Sequence, residues 1–294
     1  MVQTRKISLL LLLLVAALVV PSLLWQVNGQ SGISHNNRFI TGSSNELGYA
    51  IAITPDGSAV YFGGSTNNLA TRNYGSTYGG QDFYVSKYDR YGTFQWNAQY
   101  GSQGTDYVNS MVVSSTTNRI VTCGQHYYLL NNAYGPGYTY YSTFVMTLEP
   151  SNAGVYAVYV HNYPSTSSCR GVSTSSTGVV WAIAQCDGYF NGYNTLGGWD
   201  NYLLKFSSDS LGLQSTTRVG TSSNDYMNTV ALGPSGKVYV AGYSTGTFGS
   251  LGSCTNSGCA YVLAYDSNAN LLWASRVSPG SSYDYFIEVA VSPV

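Results

Sequence analysis

Gly79-Gly80-Gln81-Asp82-Phe83-Tyr84-Val85-Ser86-Lys87-Tyr88-Asp89-Arg90-Tyr91-Gly92-Thr93-Phe94-Gln95-Trp96 decides the fold, because it comes back. Its opening returns as Gly197-Gly198-Trp199-Asp200-Asn201-Tyr202-Leu203-Leu204-Lys205. Its second half returns as Tyr261-Val262-Leu263-Ala264-Tyr265-Asp266-Ser267-Asn268-Ala269-Asn270-Leu271-Leu272-Trp273. Working outward, a second landmark is an acid leading into an apolar run: Asp106-Tyr107-Val108-Asn109, then Asp225-Tyr226-Met227-Asn228, then Asp284-Tyr285-Phe286-Ile287. Asp225 lies 119 residues beyond Asp106 and Asp284 a further 59, while Glu46 precedes Gly48-Tyr49-Ala50-Ile51 in the same way. A third landmark is Gly57 before Val60-Tyr61-Phe62-Gly63, matched by Asn118 before Ile120-Val121-Thr122-Cys123-Gly124, by Gly178-Val179-Val180-Trp181, and by Gly236-Lys237-Val238-Tyr239-Val240-Ala241-Gly242. Three landmarks recurring in one order, at a period near sixty residues, mark an internal repeat.

Each period reads as four short strands: a small apolar one (Ala50 to Ile53, Val230 to Leu232), a Gly turn, a second (Val238 to Ala241), a long Tyr/Asn/Gly loop, a third (Phe83 to Tyr88), a tight Asp/Asn/Gly turn and a fourth (Phe94 to Ala98). Four antiparallel strands per repeat is the blade of a β-propeller, in which radial repetition protects the sheet edges. The fold class expected is therefore all-β: about four four-stranded blades over residues 42–294, plus partial ends. Asn37 to Thr41 reads as a lone outer strand within residues 30–41, and Phe286 to Val294 as a lone inner strand. These two cannot complete one blade, so the expectation is an open arc, or part of a longer propeller, with an edge available for self-association.

The Gly79 to Lys87 and Gly236 to Gly242 segments resemble the seven-bladed β-propeller repeat family of bacterial-type surface proteins. Its pattern runs GG-x-D-aromatic-hydrophobic-V-x-K, a D-x-x-G turn, a Trp-ended strand, GG-x-x-x-D, and G-x-x-Y-V-x-G. The resemblance covers nearly everything after residue 40. The third repeat departs from it by carrying Ser167 in place of the acid, and the second by carrying Tyr140-Tyr141-Ser142 in place of GG-x-D. It implies a propeller fold and an exported setting, and brings no catalytic residues.

Composition agrees and excludes alternatives. Only 9% of residues are charged, against roughly 25% in an average domain. Helix bundles and coiled coils are thus disfavoured. A net charge of −1 with 12 Lys+Arg leaves no basic stripe for nucleic acid. The 33 Gly and 28 Tyr suit strands and turns, and 44% hydrophobic residues suffice for a core.

At the N-terminus Arg5 and Lys6 precede an apolar run from Ile7 to Val20, ended by Pro21, and Val27-Asn28-Gly29 offers small residues for cleavage. Residues 1–29 thus read as a signal peptide. If uncleaved, the run to Trp25 approaches the roughly 20 residues that span a bilayer, which is the one route to a membrane. Either way the rest of the chain is expected to be secreted or at the cell surface. Five cysteines then suggest up to two bridges and one leftover thiol. Cys254 and Cys259 flank a short loop; Cys169 and Cys186 flank a hairpin and are expected to pair, leaving Cys123 over.

Connectivity sends the fourth-to-first loops and the long second-to-third loops to one face. That face would carry Glu46, Asp106, Asp225 and Asp284 with Tyr127, Tyr128, Tyr138 and Tyr193. One reading is an aromatic-walled surface for carbohydrate or a partner protein. The other is that each repeated acid accepts backbone amides and locks its loops, which recurrence in register favours. Asp82 and Asp200 are expected to cap third strands, and Lys87 and Lys205 to lie on a solvated strand face. No nucleophile elbow, phosphate loop, metal motif or Ca-loop appears. No cofactor and no metal are expected. The leading expectation is a non-catalytic module for adhesion, carbohydrate or protein binding. The alternatives are a secreted carbohydrate-active hydrolase or lyase with axial carboxylates, and a structural scaffold of a surface assembly.

Overall fold

The computed structural model describes residues 47–67, 74–75, 79–127, 140–161, 163–233, 235–248, 251, 258–277 and 284–291. Segments 1–29 and 30–41 lie outside them, as do Glu46, Tyr128, Tyr138 and Cys254. The first blade is β1 (Leu47–Ile53), β2 (Ala59–Thr66), β4 (Asp82–Asp89) and β5 (Phe94–Tyr100), with a two-residue β3 (Tyr74–Gly75) parallel to β5. The second is β6 (Tyr107–Val113), β7 (Ile120–Tyr127), β8 (Tyr141–Leu148) and β9 (Val155–Val160). The third is β10 (Ser167–Thr174), β11 (Val180–Cys186), β12 (Asp200–Phe206) and β13 (Leu213–Val219). The fourth is β14 (Asp225–Leu232), β15 (Val238–Ser244), β16 (Cys259–Tyr265) and β17 (Leu271–Val277). Every blade is antiparallel in sequence order, and no helix occurs among the described residues. The strands run a few residues further toward the long loops than the sequence pattern suggests.

Turn chemistry fixes the hairpins. Gly57, Asn118, Gly178 and Gly236 each take positive φ (66°, 58°, 84° and 73°) between the first and second strands, a conformation open to Gly and Asn. Between β4 and β5, Asp89 Oδ1 accepts the Tyr91 and Thr93 amides at 2.9 and 2.8 Å. Asp266 does the same for Asn268 and Asn270, both at 2.8 Å. These Asx turns are why an acid recurs there.

Alternation along the strands makes each blade two-sided. Phe144, Met146 and Leu148 of β8 pack with Phe83 and Val85 of blade 1, whereas Val145 between them packs with Tyr202, Leu204 and Phe206 of blade 3. Leu203 in turn packs with Tyr261, Leu263 and Tyr265 of blade 4. Period-two side chains buried on both faces produce the near-continuous apolar runs of the third strands. The first strands pack in order, β1 on β6, β6 on β10, β10 on β14, and the four sheets are not closed into a ring. Residues 284–291 follow beside blade 4, where Asn228 Nδ2 donates to the Phe286 carbonyl at 2.8 Å. Among the described residues no further strand covers the far side of that blade. Trp96 of blade 1 is buried and donates Nε1 to the Pro150 carbonyl of blade 2 at 3.2 Å, while its counterpart Trp273 is 45% exposed.

Candidate binding face

The repeated acids are interior groups. Asp106 is fully buried; its carboxylate accepts the Ser102 amide at 2.7 Å, the Ser102 hydroxyl at 2.6 Å and the Tyr127 amide at 3.1 Å. Asp225, also fully buried, accepts the Thr221 amide at 2.6 Å and the Thr221 hydroxyl. Their own amides donate to Gln81 and Trp199 carbonyls, both at 2.7 Å, so each acid ties a fourth-to-first loop to the end of a second-to-third loop. Burial pushes Asp106 up to about 7 and Asp225 up to about 6 against those hydrogen bonds, with the neighbouring Asp82 and Asp200 adding repulsion. Gln99 Nε2 donates to Asp82 Oδ2 at 2.7 Å, and the Leu196 amide to Asp200 Oδ2 at 2.6 Å.

This clasp explains the GG-x-D motif. A Cβ on Gly79 would collide with the backbone of Ser102 and Gln103, and one on Gly80 would stand 2.8 Å from the Gly104 carbonyl. Two loops thus meet backbone to backbone, which only glycine permits. Lys87 and Lys205 belong to the same junctions: their Nζ atoms donate to the Pro150 and Ser267 carbonyls of the next blade at 2.9 and 2.8 Å. They are inter-blade ties, not residues of a solvated strand face. Their recurrence was the available signal.

The junction of blades 2 and 3 is built otherwise. Ser167 accepts the Thr143 amide at 2.9 Å where the other junctions have a carboxylate. Cys123 on β7 is bridged to Cys169 on β10, with Cα atoms 5.6 Å apart. The expected Cys169–Cys186 pairing is therefore wrong. The cause is register: Cys169 faces Ala184 and Cys186 faces Ser167, so the two are not cross-strand partners, while Cys123 packs on Cys169 from the neighbouring blade. Cys186 is a buried free thiol, whose Sγ donates to Ser165 Oγ at 3.3 Å. His161 stacks on Phe190 at 4.0 Å, has Nε2 3.2 Å from Ser165 Oγ, and is pulled down to about 4 by burial. Cys259 is disulfide-bonded.

The loop end of the blades carries aromatic rings together with an exposed acid, Asp187, which accepts the Thr166 amide at 2.9 Å. Trp199 stacks over Tyr226 (6.5 Å, 29°), Tyr226 over Tyr243 (4.9 Å, 22°), and Tyr285 leans on Tyr243 at 6.3 Å. Tyr49 meets Tyr107 edge-on at 6.0 Å, and Tyr127 meets Tyr141 at 5.3 Å. Trp199, Tyr107, Tyr127, Tyr226 and Tyr243 are half-buried; Tyr49 and Tyr285 are exposed. Tyr193 is exposed in blade 3 with the Arg218 guanidinium 5.9 Å over its ring, and is not part of the Trp199 stack. Asp284 is half-buried and, among the described residues, makes no clasp like that of Asp106. No cluster of three or more metal-binding side chains forms among the described residues.

The sequence did not reveal that every first strand carries a β-bulge at one repeat position. The register skips Tyr49, Asn109, Arg170 and Asn228. A bulge re-aims the skipped side chain. The repeated Asn three positions after Asp106 and Asp225 was its only trace.

No protein-family model and no curated protein sequence matches the chain. Among solved structures it is similar to the β-propeller domain of the Trilobed protease from Pyrococcus furiosus, with an open velcro topology (6% identity, TM-score 0.42, 82% of this chain, 59% of that one). It is also similar to polysaccharide lyase Uly1 (9%, TM-score 0.42, 79% and 48%) and to the periplasmic gluconolactonase PpgL of Pseudomonas aeruginosa (12%, TM-score 0.40, 80% and 73%). The chain spans 59% and 48% of the first two. The likeness is one of fold alone.

Proposed function

We propose that the chain is an exported propeller whose loop face binds a carbohydrate or a surface protein without turning it over. The observation that carries this reading is the half-exposed Trp199, Tyr226 and Tyr243 stack, whose flat apolar faces and phenolic hydroxyls suit sugar rings. Burial and saturation of Asp106 and Asp225 support a role without acid catalysis, since neither carboxylate meets solvent. The Cys123–Cys169 bridge supports export, because such bonds persist in oxidising compartments. On a glycan array, the protein should bind a subset of saccharides, and Tyr226→Ala and Tyr243→Ala should each weaken binding about tenfold. Cleavage of a bound glycan, or binding indifferent to both changes, would overturn the reading.

A second reading is favoured by the far side of blade 4, where Leu271, Leu272 and Trp273 are 53%, 47% and 45% exposed. That patch suits self-association within a surface scaffold. Sedimentation should then show concentration-dependent oligomers that Trp273→Ser disperses; a monomer at all concentrations would refute it.

A further inference from the structure

Of the four bulged residues, three are satisfied by the next repeat. Asn109 Nδ2 donates to the Cys169 carbonyl at 2.8 Å and to Ser168 Oγ at 3.1 Å. Asn228 Nδ2 donates to the Phe286 carbonyl at 2.8 Å, and the Tyr49 ring rests edge-on against Tyr107. Arg170 is the exception. It holds the same position on β10, yet makes no hydrogen bond and no ion pair among the described residues, and it is half-buried. Among the described residues its electrostatic neighbour is Tyr243, and no carboxylate of theirs contributes. A guanidinium presents five donors in a planar fork, and holding it partly out of water without a partner is unfavourable. The bulge therefore places an unsatisfied cation beside the Trp199, Tyr226 and Tyr243 stack, in a chain otherwise short of charge.

We infer that Arg170 selects an anionic substituent, the carboxylate or sulfate ester of an acidic saccharide, while Tyr226 and Tyr243 support the sugar ring. This rests on the binding-face reading and adds a specificity residue to it. Carboxylate and sulfate both offer the oxygen pair that an arginine fork takes two at a time.

The test is titration of the purified chain with neutral oligosaccharides, with oligogalacturonate and with dextran sulfate, at constant ionic strength. The wild type should bind an acidic ligand about tenfold or more tightly than its neutral counterpart, the size expected of one charge-assisted contact. Arg170→Gln should abolish that preference, so that the acidic ligand binds no more tightly than its neutral counterpart. Arg90→Gln, a substitution at an exposed turn at the opposite end of the blades, should change neither. Oligogalacturonate and dextran sulfate respectively identify the carboxylate and the sulfate as the group selected. If neutral saccharides bind and Arg170→Gln leaves the acidic preference intact, the inference fails and the binding face stands. If losses in Arg170→Gln and Arg90→Gln are equal, the attraction is non-specific and the inference fails. If no saccharide binds, the inference and the carbohydrate reading of the face both fail.

Discussion

Blades 1 and 2, like blades 3 and 4, are joined by a carboxylate clasp at their loop ends and by a lysine, where blades 2 and 3 have a disulfide and a hydroxyl. The contrast holds position by position. Asp106 and Asp225 correspond to Ser167, Asp82 and Asp200 to Ser142, and Lys87 and Lys205 to Thr147. Where the polar set is present, two loops are drawn together by hydrogen bonds onto buried carboxylates. Where it is absent, Cys123–Cys169 spans the same pair of neighbouring repeats covalently. A propeller junction thus requires some tie across the ends of the first strands, and the chemistry of the tie is free to vary. That variation makes the junctions separable by experiment.

The largest effect should come from the covalent junction. Cys123→Ser with Cys169→Ser opens a link between residues 46 apart in sequence, for which chain-entropy arguments give about 4 kcal/mol. Chemical denaturation of the double variant checks this. Ser167 supplies only one acceptor at the loop end, and the other polar ties of that junction, Asn109 to Ser168 and Cys169 and Thr117 and Arg119 to Asp209, are present with or without the bridge. Loss of the bridge should therefore exceed loss of either clasp, and the reverse order would break the comparison.

Next comes the response to pH, which should have opposite signs at the two kinds of junction. Asp106 is raised in the folded state from 3.8 to about 7, so folding favours its protonated form. The stability it lends is complete below about pH 4 and is lost as pH rises through about 7; for Asp225 the loss is complete near pH 6. His161 is lowered from 6.5 to about 4, so its contribution is present above 6.5 and is lost as pH falls toward 4. Melting temperature against pH should show both limbs. Asp106→Asn should flatten the limb between about pH 4 and 7, and His161→Gln the limb between pH 6.5 and 4. Asp106→Ala, which leaves the Ser102 and Tyr127 amides without their acceptor, should cost about 2 to 3 kcal/mol at pH 5. A flat alkaline limb in the wild type would mean that the clasp acids are stabilised as anions.

The repeat made the blades legible, since period and strand alternation are local properties of sequence. The four-strand order, the Asx turns and the shared loop end follow from it directly. What was illegible depends on register or on neighbours sixty residues away. Cys169 and Cys186 flank one hairpin, but the turn register already aims Cys169 at Gln185 and the bulge at Arg170 moves it on to Ala184, and Cys123 becomes a partner only once blade 2 stands against blade 3. For Asp106 and Asp225, recurrence in register already favoured a loop-locking role, and the glycines that clear room for the loops, Gly79 and Gly80, record the same clasp. Arg170 stayed hidden because the Asn that marks the bulge at Asn109 and Asn228 is absent from its strand.

The smallest effect is also the sharpest test of equivalence between junctions. Lys87 and Lys205 end on carbonyls of the following blade, and their stems lie against Tyr61 and Trp181, with ammonium-to-ring distances of 5.7 and 5.5 Å. Replacing either by Met keeps the stem and removes one charge-assisted hydrogen bond and one cation–π contact at a partly wet site. The cost should be about 1 kcal/mol. At the corresponding position of blade 2, Thr147 is fully buried and its hydroxyl has no hydrogen-bond partner. Thr147→Val exchanges that hydroxyl for a methyl of nearly equal volume, so it should be neutral or stabilising. Urea unfolding of the three variants therefore predicts two losses and no loss at one repeat position. If Thr147→Val destabilises as much as Lys87→Met, the position contributes through side-chain packing in every blade, and the lysine ties are incidental to it.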